Sequence, residues 1–406
     1  MHSQPSVFSS LQGFLKKTRD AAAHVAHGSA QRNVHNPGDI NRESLAAIGQ
    51  GEMPFMESGA EPLLRQALGN GSLEVTSDLK MVEKAAALVI VIGTPIDEFM
   101  NPSLKAILGC LDGLLPYVRD DQLLILRSTV YPGVTEAVSK YLSSKGKHPM
   151  IAFCPERIVQ GKAVEELLTL PQIVSGTTSE GEQRAAELFA RIAPEIVRLS
   201  PIEAELVKLL SNAYRYIQFA TTNQFYLIAK AAGVDYYRVL DGMKRNYPRM
   251  GDVPRAGFAA GPCLFKDTMQ LAAFFQNRFS LGHAAMLVNE SMPMFILEDL
   301  ASRYRLEDMA VGLLGMAFKA DNDDSRSSLS YKLKKLVTFH AKRVLTTDPY
   351  VTTDPTLLPL DEVVVHSDII ILCTPHAVYK DLKFPGKIVV DIWNFWAQEQ
   401  AFAAPV

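Results

Sequence analysis

A chain of 406 residues with 48% hydrophobic content carries enough apolar material for two or three buried cores. A formal net charge of −3 excludes a broad basic surface of the kind that binds nucleic acid or anionic lipid. The four cysteines, Cys110, Cys154, Cys263 and Cys373, show neither pairing nor metal-ligand spacing, which excludes a disulfide scaffold and points to a reducing cytoplasm.

Residues 1–37 contain no strand-like run. Lys16, Lys17, Arg19, His24, His27, Arg32 and His35 are mixed with serine, alanine and glutamine, and the histidines fit no metal-site spacing. From there short apolar runs alternate with helical patterns. Residues 86–92 lead into Gly93-Thr94-Pro95, 123–126 into Arg127-Ser128-Thr129, and 150–153 into Cys154-Pro155-Glu156. Near-continuous apolar strands between helices predict a parallel sheet covered on both faces, with ligands at the strands' carboxyl ends.

Residues 202–233 predict one long helix, with Leu206, Leu209, Leu210, Ala213, Ile217 and Ala220 at helical spacing. A helix of about 30 residues spans roughly 45 Å. That is more than one small domain needs, so it predicts a connection between domains or contact with a second subunit. Residues 271–300 predict further buried helix, with Met286, Leu287, Met292, Met294 and Leu297 as core filler. The strand–helix rhythm returns at 311–318, 343–347, 369–373 and 388–391. No apolar run reaches the roughly 18–20 residues of a membrane-spanning helix.

The stretch with the most chemistry is Gly261-Pro262-Cys263-Leu264-Phe265-Lys266-Asp267, which follows the small-residue run Ala256-Gly257-Phe258-Ala259-Ala260. Little side-chain bulk surrounds the thiol, so a substrate carbon can approach it. Lys266 and Asp267 lie one turn on if a helix starts here, and a cation near a thiol favours the nucleophilic thiolate. A structural cysteine at a turn before a helix is the competing reading.

Several motifs occur in a telling order. They are Val91-Ile92-Gly93-Thr94-Pro95, then Ser128-Thr129-Val130-Tyr131-Pro132-Gly133-Val134-Thr135, then Cys154-Pro155-Glu156-Arg157 with Gly161. Next come Glu205-Leu206-Val207-Lys208-Leu209-Leu210-Ser211-Asn212, the Cys263 segment, and Gly315-Met316-Ala317-Phe318-Lys319 with Asp323, Asp324 and Arg326. From about Gly38 to the C-terminus the chain resembles the UDP-glucose/GDP-mannose dehydrogenase family of nucleotide-sugar 6-dehydrogenases. The resemblance implies two Rossmann-like, doubly wound α/β domains joined by a helical central domain with a long helix. It divides the chain into an atypical segment 1–37, an NAD-binding domain 38–200, a central dimerisation and catalytic domain 201–304, and a UDP-sugar-binding domain 305–406.

The same resemblance implies a four-electron oxidation of a sugar C6 alcohol by NAD, in a homodimer. Cys263 is similar to the nucleophile that captures the aldehyde as a thiohemiacetal and then carries a thioester. Lys208 and Asn212, at i and i+4 on one helix face, suit an oxyanion developing at C6. Asp267 resembles the carboxylate that orients the hydrolytic water, Glu156 the glutamate that manages protons, and Thr129 the threonine that holds a water. The plainer alternatives make Glu156 a partner of Arg157, Thr129 a strand-end cap, and Lys208 and Asn212 surface residues.

For the cofactor the resemblance implies Asp39, Thr94, Pro95, Ser128, Thr129, Lys266 and Arg326. For the nucleotide-sugar it implies Glu156, Arg157, Lys208, Asn212, Arg249, Gly257, Phe318 and Lys319. The Pro-Glu-Arg form at 155–157 is closer to the UDP-N-acetylhexosamine branch than to the UDP-glucose enzymes. No metal, nucleic acid or membrane partner is expected.

The pattern breaks at the start. Family members open with a strand and Gly-x-Gly-x-x-Gly, which brings backbone N–H groups to the NAD pyrophosphate. Here the glycines before position 40 are Gly13, Gly28 and Gly38, too far apart for that turn. The match begins at Gly38-Asp39-Ile40-Asn41, so cofactor affinity is the property the break bears on. The alternative to an active enzyme is a non-catalytic relative that binds nucleotide-sugar or only dimerises.

Overall fold

The computed structural model describes residues 42–93, 104–258 and 261–396, and the backbone of 22–26. It divides into two compact units, residues 1–211 and 212–406, with the boundary inside one long helix.

The first unit is built on a six-stranded sheet. In chain order its elements are β1 (Ala22–Ala26), α1 (Arg42–Gly49), α2 (Ala60–Gly69), β2 (Ala87–Val91), α3 (Lys105–Leu114), β3 (Leu123–Leu126) and α4 (Val134–Ser144). There follow β4 (Met150–Phe153), α5 (Ala163–Thr169), β5 (Gln172–Gly176), α6 (Ser179–Phe189), β6 (Ile196–Arg198) and the start of α7 (Pro201–Ala231). The strands lie in chain order across the sheet. All neighbours pair in parallel except β4 with β5, which are antiparallel.

Alternation along the strands explains the two covered faces, because successive side chains point to opposite sides. Leu88, Ile90, Leu124, Leu126, Ile151 and Phe153 pack against Ile107, Leu111, Val134 and Val138 of α3 and α4. Ala87, Val89, Leu123, Ile125 and Ala152 pack on the other face against Ala185, Ala186 and Phe189 of α6. The sheet is thus wound on both sides as the apolar runs imply. The antiparallel pair and the strands β5 and β6 go beyond them.

The segment expected to lack a strand contains one. Ala22–Ala26 pairs in parallel with β2, Ala22 opposite Ala87 and Ala26 opposite Val91. Its composition, AAHVA, is too small and mixed to stand out as a buried strand, and the register supplied by β2 decides its conformation. Asp39, Thr94 and Pro95 lie outside the described residues.

The long helix forms over nearly the expected span. Pro201 opens it, Ile202 to Ala231 holds no proline or glycine, and Gly233 at φ +70 ends it. Val234 N–H reaches Ala229 O at 3.0 Å, which caps the last carbonyls.

The second unit adds α8 (Tyr236–Lys244), α9 (Pro262–Phe274), α10 (Ser280–Ala301), β7 (Ala310–Leu314), α11 (Leu329–Thr338), β8 (Arg343–Thr347), α12 (Leu360–His366), β9 (Ile369–Leu372) and β10 (Ile388–Val390). Its parallel sheet has the order β10-β9-β7-β8. Val311, Leu313, Ile369 and Ile371 face α10 and α11, while Leu314, Ile370 and Leu372 face Val363 of α12. The helical stretch at 271–300 is interrupted where Asn277, at φ 58, closes α9 through its N–H to Ala272 O at 2.8 Å. Met292 and Leu297 are core as expected, but Leu287 and Met294 are exposed.

Candidate active site

Of the four cysteines only Cys263 is exposed. Burial pushes the thiol of Cys110 up to about 11 and that of Cys154 to about 12, and raises Cys373 as well. Cys154 and Cys373 are inert core groups, and Cys110 is half-buried against the core. Cys263 sits in the first turn of α9, which does start in this segment. Gly261 is the N-cap, at φ 113 and ψ 145, and Pro262 follows at the position where a missing N–H costs nothing. A Cβ on Gly261 would lie 2.8 Å from the Phe318 ring, so only glycine allows Phe318 to close against the turn.

One turn on, Asp267 is fully buried. Its carboxylate accepts from Asn212 Nδ2 at 2.6 Å and lies 3.5 Å from Lys266 Nζ. Asn212 is itself buried, so it is no surface residue of the long helix. Lys208, half-buried, lies one turn earlier on α7. Arg326 pairs with Asp324 at 2.6 Å. Its hydrogen bond to Asp324 raises the guanidinium above its ordinary value, with the charges of Asp324 and Cys263 adding to the effect and burial opposing it.

Gly257 is clamped from both sides by Asn223, whose Oδ1 accepts its N–H at 2.9 Å and whose Nδ2 donates to its carbonyl at 3.0 Å. Asn223 also donates to Asn289. Asn223 is not among the expected site residues, although positions 212 and 223 are three turns apart and share a helix face. Arg249 is exposed, with Nε donating to Tyr247 Oη at 2.9 Å and its guanidinium 4.7 Å from that ring's centre. Lys319 is half-buried, and Phe318 N–H is held by Asp324 O at 2.9 Å.

In the first unit, the carboxyl ends of β3 and β4 carry Ser128, Thr129, Glu156 and Arg157. Glu156 does not pair with the guanidinium of Arg157. It takes an ion pair from Arg127, and its other oxygen accepts the N–H groups of Arg157 at 3.0 Å and Ile158 at 3.2 Å. The Arg157 guanidinium donates to Pro171 O instead. Ser128 ties neighbouring strand ends, its Oγ accepting from Ile92 N–H at 2.7 Å. Glu57 fastens the following loop through Gly161 N–H at 2.8 Å and Ala163 N–H at 2.7 Å. Arg127 and Glu57 are positioning groups that no spacing rule marks.

A dinucleotide fits this edge in part. The parallel strands β2, β3 and β4 end together, which is where a nucleotide lies in an open α/β sheet, and Gly93, Ser128 and Thr129 stand there. The three-glycine turn for the pyrophosphate is missing from the sequence, with Gly28 the nearest glycine after β1. Among the described residues no group of three or more His, Cys, Asp or Glu is placed to hold a metal ion. No described helix is long and apolar enough to cross a membrane.

Two largely parallel, helix-covered sheets define an α/β protein of the nucleotide-binding kind, with one exposed cysteine at a helix start. Comparison with known families then places it. The NAD binding domain of the UDP-glucose/GDP-mannose dehydrogenase family matches residues 28–193, its central domain 202–291, and its UDP binding domain 312–398. The chain belongs to that family, and is an NAD-dependent oxidoreductase of nucleotide-sugar dehydrogenase type. A UDP-N-acetyl-D-mannosamine dehydrogenase of Pyrococcus horikoshii is 28% identical over 374 residues, 87% of this chain and 88% of the relative. An NDP-N-acetyl-D-galactosaminuronic acid dehydrogenase of Ralstonia nicotianae is 27% identical over 402 residues, 92% of this chain and 93% of the relative. The solved structure of the UDP-D-ManNAc dehydrogenase from Pyrococcus horikoshii matches with a TM-score of 0.81 at 26% identity, covering 92% of this chain and 88% of that one.

Proposed function

We propose that this protein oxidises the C6 alcohol of a UDP-N-acetylhexosamine to the uronic acid, in the cytoplasm and as a homodimer. The observation that carries the reading is the exposed Cys263 at the start of α9, one turn from a fully buried Asp267 held by Asn212. The substrate follows the names of the relatives and the Pro-Glu-Arg sequence at 155–157. The domain limits 38–200, 201–304 and 305–406 belong to the same proposal.

NAD, when bound, accepts hydride from C6 in each of the two oxidations. Cys263 Sγ adds to the aldehyde carbon, giving a thiohemiacetal whose oxidation leaves a thioester. Lys208 and Asn212 steady the C6 oxygen as it takes up charge, since a cation and an amide donor favour an oxyanion. Asp267 orients the water that hydrolyses the thioester, Glu156 takes and returns its proton, and Thr129 holds that water in place. Hydrolysis frees the carboxylate and restores the thiol. Arg157, Arg249, Gly257, Phe318 and Lys319 bind the nucleotide-sugar, with guanidinium and ammonium groups suited to its diphosphate. Asp39, Thr94, Pro95, Ser128, Lys266 and Arg326 are assigned to NAD.

Cys263→Ser is the direct test. Uronate formation from a UDP-N-acetylhexosamine and NAD⁺ should fall to background, because an oxygen ester is a poorer route to hydrolysis than a thioester. Uronate production at the parent rate would remove Cys263 from the nucleophile role.

A further inference from the structure

In the second unit the loop after β7, residues 315–321, contains Phe318 and Lys319. Two residues from other strand ends grip it. The side chain of Asp348, immediately after β8, is fully buried. Its Oδ2 accepts the N–H groups of Met316 at 2.6 Å and Ala317 at 2.9 Å, and its Oδ1 those of Tyr350 at 2.8 Å and Val351 at 3.0 Å. His376, beyond β9, is fully buried too, with Nε2 3.0 Å from Asp348 Oδ2. Its Nδ1 lies 2.9 Å from the N–H of Asp321, which can only donate. Nδ1 is therefore the acceptor, and the ring proton sits on Nε2 and points to Asp348.

We infer that the Asp348–His376 pair is a positioning device that sets the affinity for the nucleotide-sugar by fixing the Phe318–Lys319 loop. The inference rests on the reading that Phe318 and Lys319 bind that ligand. Asp348 pins the loop at residues 316 and 317 and His376 pins it at 321, so the ligand-facing residues span two fixed points. Asp321 Oδ1 returns a contact by accepting Ala377 N–H at 2.8 Å, beside the histidine. Thr374, on the same strand end as His376, adds a further tie, its Oγ1 donating to Ala317 O at 2.6 Å. The imidazole is walled by Tyr350 and Tyr379, with ring centres 5.1 and 5.5 Å away. Every hydrogen-bonding group of the pair is engaged within the fold, so neither residue touches substrate. An apolar pair of similar volume would fill the space but could not accept the Met316, Ala317 and Asp321 N–H groups.

The test uses the full chain, with UDP as the calorimetric probe alongside steady-state kinetics. His376→Gln keeps a donor near Nε2 and loses the acceptor for Asp321, while His376→Asn does the reverse. Both, and Asp348→Asn, should weaken UDP binding and raise the KM for nucleotide-sugar 10- to 100-fold, with kcat within threefold of the parent. Parent-like UDP affinity in all three, or a fall in kcat at unchanged KM, overturns the inference. Lys319→Ala separates this from the underlying reading: if it leaves UDP binding intact, the loop is not the ligand site. If Lys319→Ala weakens binding and the pair variants do not, only the positioning role fails. Nitrogen NMR of the His376 ring in the parent protein gives a test independent of variant folding. The Nε2–H tautomer is expected, and an Nδ1–H tautomer would contradict the geometry.

Discussion

Asn212, buried, donates to Asp267 of the thiol helix, and Lys208 precedes it by one turn on α7. If Lys208 stabilises charge on the C6 oxygen, Lys208→Ala should lower turnover by roughly 10²-fold or more, as loss of an oxyanion donor does. A threefold loss or less in steady-state assays would make it a structural lysine. Asp348 carries a different residue-scale consequence. Burial pushes its carboxyl up, but the hydrogen bond from His376 and the N–H groups of Ala317 and Tyr350 outweigh that and bring it down to about 2, from an ordinary 3.8. A lowered folded value means the carboxylate stabilises the fold above about pH 4 and loses that contribution as pH falls through about 2. The contribution is on the order of 2 kcal/mol. The urea-midpoint difference between the parent and Asp348→Asn should therefore shrink steadily from pH 5 to pH 2.5, and a constant difference would refute the assignment.

At the scale of elements, α7 and α4 are joined by a carboxylate. Glu205, fully buried on α7, accepts the N–H groups of Gly133 at 2.5 Å and Thr135 at 2.8 Å and the Thr135 hydroxyl at 2.6 Å. The first turn of a helix has unsatisfied N–H groups and partial positive charge, so a buried carboxylate both caps α4 and fixes the segment that begins at Ser128. Burial raises Glu205's carboxyl, with those hydrogen bonds opposing it. Glu205→Ala leaves buried donors unsatisfied and should cost about 2–4 kcal/mol. A drop of several degrees in the thermal midpoint is expected, and a midpoint within one degree of the parent would show that the cap contributes little.

For the whole molecule, apolar side chains remain uncovered in the second unit. Tyr214, Phe225 and Ile228 of α7 and Leu281, Leu287 and Met294 of α10 are exposed. Large side chains in such number on two helices suit the proposed homodimer interface. Light scattering at micromolar concentration should return twice the 44.7 kDa chain mass. A mass near that of one chain across the range would rule out a stable dimer.

Much of this was legible in the sequence, and the reason is local. Strands such as Leu123–Leu126 and Ile369–Leu372 are apolar on both faces, and α7 keeps its helical period without a breaker until Gly233. Period and composition are properties of neighbouring residues, so the two sheets and the long helix follow from them. Residues 22–26 carry too weak a pattern, and their pairing with β2 makes them a strand. Tertiary structure alone decided the polar pairings. Glu156 pairs with the guanidinium of Arg127 rather than that of Arg157, Asn223 clamps Gly257, and His376 meets Asp348 across 28 positions. Such bonds depend on where separate strand ends and loops bring donors and acceptors within about 3 Å. No periodicity along the chain records that distance.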